Sequence, residues 1–437
     1  MPESRETGET FKHGLIAAGE ILLINGMFTF VNWISGWDWA VPSVESIRFN
    51  LTNPWQWEEG EEESFLVNQL GHPLQGSLAF NAGRVNGFSF YQNIIFNLFG
   101  SATWEIFFEN NHASINDFFT TVSGSFTVGE ISYRLYMEAY AAGIPAPLAF
   151  IISPAAGLHR LLTGWEPPPA NRNLYELRYF LGGGYAQTHS SINSGQQELF
   201  AYNGPHARAG LKTVYGNPFE QDTNVPYRHF ELAMFYGMNP GYYHDIHVVT
   251  DGYLFSFSPV YSNRHTMSTG LSLHMDFNAQ GRFHLYDSTI NQYSNALNWT
   301  IKYQQLFSEN TTMQIKSHAG FTFIGASNYY SQEIERELIN YGYGLNSKLF
   351  FNLENSMLGR LEVDLFGYIL WSYPGTSALS DGTVYWLFSD ITYSRFVSEY
   401  ISAGISYSLS REWGYFGEFT DTVKKNNSVM VFVAWNL

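Results

Sequence analysis

The stretch ISAGISYSL, residues 401–409, alternates apolar and small polar residues without a break. An extended chain would place on one face Ile401, Ala403, Ile405, Tyr407 and Leu409. Such a period of two indicates a β-strand, because successive side chains of a strand point to opposite faces. Small polar residues on the other face are typical of a strand that lies between lipid and a wetted lumen.

The same alternation recurs along the second part of the chain. In residues 360–365, for example, Leu361, Val363 and Leu365 alternate with charged residues. Comparable segments start near residues 173, 204, 228, 246, 266, 293, 311, 339, 357, 383, 398 and 428. Several exceed about ten residues, the length that crosses a bilayer at a tilt. We therefore predict a transmembrane antiparallel β-barrel of about 12 strands over residues 168–437.

The composition supports a barrel in a membrane. Aromatic residues make up 18% of the 437 residues and charged residues only 14%, against roughly 25% charged in soluble domains. The mean hydropathy of −0.16 disfavours a polytopic helical membrane protein. A large soluble β-sandwich is the alternative, and it is less favoured because soluble sheets rarely combine so many aromatic residues with so few charges.

The charge and the missing cysteines exclude several classes of function. A net charge of −17 argues against nucleic acid as a partner, since phosphate binding needs clustered Lys and Arg. Without cysteine the chain has no disulfide, no thiol catalysis and no Cys-ligated metal. Nucleotide-binding loops, His-Glu-x-x-His helices and Gly-x-Ser-x-Gly elbows are absent as well, so we predict no cofactor and no catalytic metal.

The two ends of the chain suggest export. Residues 1–6 lack the basic start and apolar core of a signal peptide, so we expect the chain to be a mature form. The last residues alternate from Val429 to Leu437, as in the terminal strand of bacterial outer-membrane proteins, although that strand usually ends in an aromatic residue. We predict a location in the outer membrane of a Gram-negative bacterium.

Residues 1–167 have a different, helical spacing, and consecutive prolines from Pro167 mark the change because proline interrupts both helix and sheet. We predict a helical module packed on, in or beneath the barrel. Its longest apolar stretch, residues 14–34, contains Glu20, and a carboxylate at mid-membrane costs about 3 kcal/mol. We therefore expect a helix packed on the barrel or in the interface, not a free membrane anchor.

An acidic run occupies residues 58–63 of the module, with the sequence EEGEEE. A solvated loop is the favoured interpretation. A weak site for a divalent cation is the alternative, since hard cations prefer carboxylate oxygens.

Residues 65–165 hold the densest set of polar residues among apolar ones. In chain order the set comprises His72, Pro73 and Gly76; Ala82, Arg84 and Gly87; Gly100, Ser101, Trp104, Glu105 and Glu109; Ser114 to Asp117; and Gly129, Glu130 and Arg134. In order and spacing the set resembles an uncharacterised domain-of-unknown-function family of Gram-negative envelope proteins. That resemblance implies an outer-membrane setting and supplies no established activity.

Two of these segments suggest local structure. Glu105 and Glu109 are four residues apart, which predicts one helix face and, through repulsion, a raised pKa or a cationic partner such as Arg84 or Arg134. Ser114 is expected to cap the next helix, with Asp117 as its box partner. The glycines at 76, 87, 100 and 129 are expected to permit close helix packing.

A buried polar centre would have candidate catalytic residues and candidate ligand-binding residues. The catalytic candidates are His72, Glu105, Glu109 and Asp117. The ligand-binding candidates are Arg84, Asn116, Glu130, Arg134 and Arg160. A purely structural polar network is the favoured alternative. The Glu-x-x-His spacing from Glu109 to His112 also occurs in di-iron sites, which need a second copy that the sequence lacks.

Arg160 lies beside an apolar run, a position suited to holding a lipid phosphate, but snorkelling to the interface or pairing with a carboxylate of the module is the favoured interpretation. Three functions remain open. The module plugs or flanks the barrel and binds or helps transport an envelope ligand such as outer-membrane lipid; the protein is a lipid- or lipid A-modifying hydrolase; or the module docks another envelope protein. The first is slightly favoured.

Overall fold

The computed structural model describes residues 7–37, 41–55, 65–168, 172–192, 197–219, 222–240, 243–282, 287–331, 336–373, 382–417 and 420–437. Two compact units are present. The helical unit comprises Met1–Glu58 and Val67–Arg172, and the barrel unit comprises Glu59–Leu66 and Asn173–Leu437. The acidic run at 58–63 lies outside the described residues.

The helical unit contains seven α-helices in its described part and a short π-helical turn, Val67–Gly71. The α-helices are α1 Thr7–Ile34, α2 Val44–Thr52, α3 His72–Val85, α4 Asn93–Phe107, α5 Ile115–Ala141, α6 Ala146–Ile152 and α7 Pro154–Thr163. Local chemistry sets several of the ends. Ser43 forms a capping box at the start of α2, and Gly164 adopts φ +70° after α7, a conformation that favours glycine.

Helix α1 is, among the described residues, the helix long and apolar enough to cross a membrane. Its carboxylate Glu20 is nevertheless buried, with 6% exposure. The Nδ1 atom of His159 lies 2.6 Å from Glu20 Oε1, and Asn86 donates to Oε2 at 2.9 Å. The charge in this apolar helix therefore has partners in the helical unit.

Three of the four glycines expected at helix contacts lie at close approaches. A Cβ atom on Gly76 would stand 2.6 Å from the Thr121 carbonyl oxygen, and one on Gly129 would stand 2.8 Å from Phe80. On Gly100 it would stand 2.7 Å from Ala79 Cβ. Gly87 departs from the prediction because it lies in the turn after α3 and not at a helix contact. Its φ of +87° is a backbone conformation that favours glycine.

The barrel unit closes on itself through twelve antiparallel strands, as predicted. They are β1 Leu174–Ile192, β2 Gln197–Tyr215, β3 Phe230–Met238, β4 His244–Tyr261, β5 His265–Arg282, β6 Asp287–Ser308, β7 Thr311–Ser331, β8 Arg336–Asn355, β9 Gly359–Ser372, β10 Gly382–Phe396, β11 Ile401–Phe416 and β12 Thr422–Asn436. Each strand pairs with its neighbour in sequence, and β12 pairs with β1. Because β12 pairs with β1, the sheet has no first or last strand with a free side.

The outer face of the barrel carries the apolar set of the alternation. On β10 the outward residues include Tyr385, Leu387, Ile391 and Tyr393, each 41–46% exposed. Aliphatic residues thus lie between two tyrosines along the strand. Transmembrane barrels have this arrangement, an apolar band between aromatic girdles.

The lumen holds the polar set, but it is packed more tightly than a wetted lumen would be. Lys302, Lys348 and Lys424 are only 0–1% exposed although they are charged. At the end of the barrel away from the start of β1 and the end of β12, an apolar cluster comprises Leu338, Leu370, Val384 and Phe416. The expectation of a polar inner face is correct, and side chains fill part of the lumen that was expected to be wetted.

Candidate functional site

A cavity of about 150 Å³ lies in the barrel, lined by residues of ten strands, β1–β4 and β7–β12. Along the barrel axis the lining of the cavity changes from charged to aromatic side chains. Near the start of β1 it is charged, and the Glu176 side chain there is 32% exposed. Farther in, it is lined by the rings of Phe180, Phe235, Phe350, Phe366, Phe388 and Phe432. The cavity therefore joins a polar, partly exposed entrance to an apolar interior.

The charged wall is held by ion pairs across the lumen. Arg178 donates to both oxygens of Glu362 at 3.0 and 2.7 Å, and its Nε lies 2.8 Å from Glu176. Lys212 lies 3.8 Å from Asp364. The paired arrangement of Arg178 and Glu362 gives the guanidinium a rigid position, since two parallel hydrogen bonds fix its plane.

One cluster has the donor set of a metal site, namely His229, Glu231 and Asp251. The ammonium of Lys302 lies among these three residues, 2.7 Å from His229 Nε2 and 2.9 Å from each carboxylate. Lys316 adds a contact of 2.6 Å to Glu231. A bound ammonium supplies the positive charge that the carboxylates need, so the cluster is an internal salt-bridge network.

Polar contacts continue from this cluster along the inner wall. His318 Nε2 lies 3.9 Å from Asp251, and its Nδ1 is 2.7 Å from Thr300 Oγ1. Ser272 then links Thr300 to His274. Next, Lys348 Nζ contacts His274 Nδ1 at 3.1 Å and Asp276 at 2.6 Å, and Tyr368 donates to Asp276 at 2.7 Å. Each buried charge in this chain has its partner in place, as burial requires.

The aromatic wall is built from inward residues on neighbouring strands. Phe366 and Phe388 are cross-strand partners on β9 and β10, and their ring centroids are 5.2 Å apart. Phe180 lies 5.7 Å from Phe235 and 5.6 Å from Phe432. These separations are typical of favourable ring contacts, so the apolar part of the cavity has a defined shape.

Arg208 is the least satisfied cation in the cavity wall. Its side chain is 10% exposed, and its nearest ion-pair partner, Asp245, is 3.8 Å away. The guanidinium lies over the Phe235 ring, 4.5 Å from the centroid. Its Nε is buried and has no hydrogen-bond partner in the described part of the chain.

The helical unit brings together two of the catalytic candidates, His72 and Asp117. The Nε2 atom of His72 is 3.7 Å from Asp117 Oδ1, and the Thr121 hydroxyl lies 3.2 Å from His72 Nδ1. Burial raises the pKa of the Asp117 carboxyl to about 7. The three side chains thus form a buried hydroxyl–imidazole–carboxyl row.

The other two catalytic candidates are placed differently from the prediction. Helix α4 ends at Phe107, so Glu105 and Glu109 do not share a helix face. Glu109 accepts a hydrogen bond from the Trp104 indole at 3.1 Å. Glu105 accepts from the Ser114 backbone N–H at 2.9 Å.

Ser114 caps helix α5 as expected, since its hydroxyl accepts from the Asp117 backbone N–H at 3.1 Å. In a capping box the Asp117 carboxylate would accept from the Ser114 backbone N–H. Here the Glu105 carboxylate accepts from that N–H instead. A carboxylate from the preceding helix therefore completes the cap, because the chain turns back on itself between α4 and α5.

The predicted ligand-binding residues form two separate groups. Glu130 is fully buried between two arginines, with Arg84 Nε and Arg134 Nε each 2.8 Å from its carboxylate. The expected pairing of these arginines with Glu105 or Glu109 is therefore wrong. Arg160 pairs with Glu166 at 3.0 Å, as the favoured interpretation had it.

Asn116 and His112, two further residues singled out in the sequence, are packed within the helical unit. Asn116 is buried, with 1% exposure, in the first turn of α5. His112, of the Glu-x-x-His spacing, stacks on Phe49 with ring centroids 4.3 Å apart. The stacked imidazole supports a packing role for His112.

Sequence reasoning missed the lumen cavity and the contact between Glu20 and His159. The polar faces of the strands were visible, including Glu362 and Asp364. Nothing in the sequence said which charges meet across the barrel, because Arg178 and Glu362 are 184 residues apart. Lysines on the inward positions of strands were the available signal, since a lysine facing a lumen needs a partner.

Comparison with known proteins finds a family model that is similar to a part of the chain before the strands. The model of a family described as Domain of unknown function (DUF3943) matches residues 54–146. This match supports the resemblance to an uncharacterised family. No curated protein matches the chain.

Several solved structures are similar to the barrel. An outer-membrane channel from Pseudomonas putida is 8% identical with a TM-score of 0.32, and the match covers 61% of this chain and 96% of that chain. The Pseudomonas putida toluene transporter TodX is 9% identical with a TM-score of 0.25, covering 64% and 93%. The NanC porin is 9% identical with a TM-score of 0.25, covering 58% and 100%. At such low identity and TM-score, the functions of these proteins do not transfer to this chain.

Proposed function

We propose that the protein is an outer-membrane β-barrel that binds a small amphiphilic molecule in its lumen cavity and helps to transport it. The observation that carries the proposal is the cavity, in which a charged entrance leads to an aromatic interior. Binding sites for small molecules are commonly apolar with a few placed polar groups. The exposed apolar band on the barrel exterior supports the membrane setting.

The size of the cavity limits the ligand. Its volume of about 150 Å³ matches an engineered apolar cavity that accommodates benzene. The apolar part of a ligand is therefore about one ring in size. A polar group on that ring would reach the charged wall, so the ligand class is a single-ring amphiphile.

Filling the cavity tests this function. In Ala233→Trp, a large side chain enters from the cavity wall on β3. Ala207→Trp is the matched control, because Ala207 is exposed on the outer face of β2. Saturation-transfer NMR on the full-length protein in lipid nanodiscs would measure binding of benzoate, benzyl alcohol and benzylamine.

We expect the wild type and Ala207→Trp to bind at least one of these probes and Ala233→Trp to lose it. No binding of any probe by the wild type, or equal binding by both variants, contradicts the proposal. The membrane location has a separate test: the protein should cofractionate with outer-membrane marker lipids on a density gradient, and recovery in the inner-membrane or soluble fraction contradicts it.

A second candidate is the hydrolase alternative, which the row of Thr121, His72 and Asp117 favours. An imidazole between a hydroxyl and a carboxyl is the arrangement that activates a nucleophile. Loss of outer-membrane lipid turnover in both His72→Ala and Asp117→Ala would support it, with the exposed His112→Ala as control. Unchanged turnover in correctly folded variants would end this alternative.

A further inference from the structure

We infer that Arg208 anchors the ligand of the lumen cavity through a carboxylate, so that the cavity selects small anions with a single-ring apolar body. The inference rests on the proposed function, since it names the ligand class of the same cavity. Arg208 is the arginine of the cavity wall that has no hydrogen bond in the described residues.

Arg208 is nine-tenths buried, at 10% side-chain exposure. Its described contacts are Asp245 at 3.8 Å and the Phe235 ring at 4.5 Å. Neither is a hydrogen bond, and in the described residues its buried Nε has no acceptor. A guanidinium carries five N–H donors, so its capacity is largely unused.

The strand pairing explains why no acceptor among the described residues covers this guanidinium. Arg208 lies opposite Gly182 on β1 and opposite Gly237 on β3. Neither glycine has a side chain that would cover the arginine from the neighbouring strand. Gly182 itself lines the cavity together with Arg208, which leaves the arginine facing the open space.

Two other cations in the same wall are paired closely. Arg178 makes two hydrogen bonds to Glu362, and Lys316 lies 2.6 Å from Glu231. Burial of a charge is costly unless hydrogen bonds and a counter-charge compensate it. Lys212 is held less closely, at 3.7 Å from Glu362 and 3.8 Å from Asp364, but it has two carboxylates and its side chain is 23% exposed. Arg208 has the single carboxylate of Asp245 at 3.8 Å and is more buried, so an anionic ligand would compensate it most.

The carboxylates of the cavity do not make an equal case for a cationic ligand. Glu362 and Glu176 are bound by Arg178, and Glu231 and Asp251 are bound by Lys302. Asp390 accepts hydrogen bonds from the Thr392 and Ser408 hydroxyls. These five acids have donors within hydrogen-bond distance. Asp364 lies 3.8 Å from Lys212, so these two residues of the wall compensate each other, whereas the Arg208 guanidinium has no acceptor in the described residues.

The rings near Arg208 indicate the rest of the ligand. Phe235, under the guanidinium, contacts Phe180, which in turn contacts Phe432. A ring attached directly to a carboxylate would lie on this aromatic surface while its oxygens reach the guanidinium. Planar, bidentate pairing with a carboxylate is the geometry that arginine favours.

Three probes of equal size and different charge test the inference in the full-length protein: benzoate, benzyl alcohol and benzylamine. We expect wild-type affinity in the order benzoate, benzyl alcohol, benzylamine. In Arg208→Met, benzoate should lose about 10- to 100-fold in affinity, as for a lost charged hydrogen bond, while benzyl alcohol stays within about twofold. Arg208→Lys should recover part of the loss, because it keeps the charge without the planar fork.

Asp245→Asn should raise the affinity for benzoate, whereas Arg208→Met should lower it. The Asp245→Asn substitution removes the counter-charge nearest to Arg208, so benzoate should bind more tightly. A merely structural role of Arg208 would weaken the binding of benzoate and benzyl alcohol together.

The inference is overturned if benzylamine binds best, or if Arg208→Met leaves the affinity for benzoate unchanged. It is also overturned if that variant loses both probes equally. In these cases the cavity still binds small amphiphiles and the proposed function stands. Failure of all probes to bind the wild type, by contrast, removes the proposed function itself.

Discussion

The helical unit and the barrel both bury charges, but the ion-pair partners of those charges come from different parts of the chain in the two units. In the helical unit a buried acid and its cations are close in sequence or in adjacent helices, as Glu130 is with Arg134 four residues later. In the barrel the partners come from distant strands, and Lys302 meets Asp251 and Glu231 across the inner wall. Arg208 remains without a hydrogen bond in the described residues.

The contrast between the paired charges and Arg208 distinguishes charges that hold the fold together from a charge that is available to a ligand. A buried charge with all its partners in place stabilises one arrangement of the chain, because removing any partner leaves the others uncompensated. A buried charge without an acceptor has no such reason to persist. The closed networks of both units therefore fix one arrangement of side chains, and the incomplete one is where we propose that a ligand binds.

The largest expected effect is on the lysine network of the barrel. Lys302→Met leaves Glu231 and Asp251 without their shared ammonium, which should lower the free energy of unfolding by about 5 kcal/mol. The urea midpoint of tryptophan fluorescence measures it. The exposed Lys425→Met is the control, and adding Glu231→Gln and Asp251→Asn to Lys302→Met should restore most of the loss. Equal midpoints for the two lysine variants would show that the network is not stabilising.

The next effect is a pH dependence of the helical unit. Because burial raises the pKa of Asp117 to about 7, from about 3.9 in the unfolded chain, the folded state holds a proton that the unfolded state releases. Binding of this proton therefore adds roughly 4 kcal/mol to the free energy of unfolding. The added stability is complete below about pH 4 and is lost as the pH rises through about 7.

The check is the urea concentration at which the helical unit of the full-length protein becomes sensitive to protease, measured from pH 4 to pH 8. The wild type should lose stability as the pH rises, and Asp117→Asn should flatten the curve. Parallel curves for the two proteins would contradict the pKa assigned to Asp117.

A smaller loss is expected from the paired arginines of the helical unit. Glu130→Gln removes the charge shared by Arg84 and Arg134, and we expect a loss of about 3 kcal/mol, less than for Lys302 because both arginines are partly exposed. The same protease assay measures it. Glu166→Gln, whose side chain is 61% exposed, should have no measurable effect; similar losses in both variants would remove the distinction between buried and surface pairs.

The smallest effect compares two helix glycines. Gly76→Ala brings a methyl group against the Thr121 carbonyl oxygen and should cost about 2 kcal/mol through overpacking between α3 and α5. Gly19→Ala meets nothing within 4 Å and should stabilise slightly, since alanine favours a helix. Thermal unfolding of the two variants gives the sign, and a stabilising Gly76→Ala would mean that α3 and α5 are not in close contact.

Several particular features were readable from the sequence. The alternation in 401–409 predicts the strand that the structure places at Ile401–Phe416, because a strand buries or exposes every second residue whatever its partners are. The cap at Ser114 was readable for a similar reason, since its bond to the Asp117 backbone N–H spans three residues. Local periodicity and local hydrogen bonds depend on neighbours in the chain.

The positions of the charges were not readable, and the error with Glu109 shows why. Its four-residue spacing from Glu105 suggested one helix face, but α4 ends at Phe107 and Glu109 bonds to the Trp104 indole. The end of a helix depends on what packs against it. Spacing alone therefore assigned the carboxylates to partners that they do not have.

By itself the sequence determined about twelve strands, each with an apolar face and a polar face, and a helical region before them, because period-two patterning needs no knowledge of distant contacts. Only the tertiary structure decided which inward charges meet. Arg178 reaches Glu362, while Arg208 lies between two glycines and meets no hydrogen-bond acceptor in the described residues. The physical reason is that strand register and barrel closure set the distances across the lumen, and the electrostatic energy of a buried charge depends on those distances.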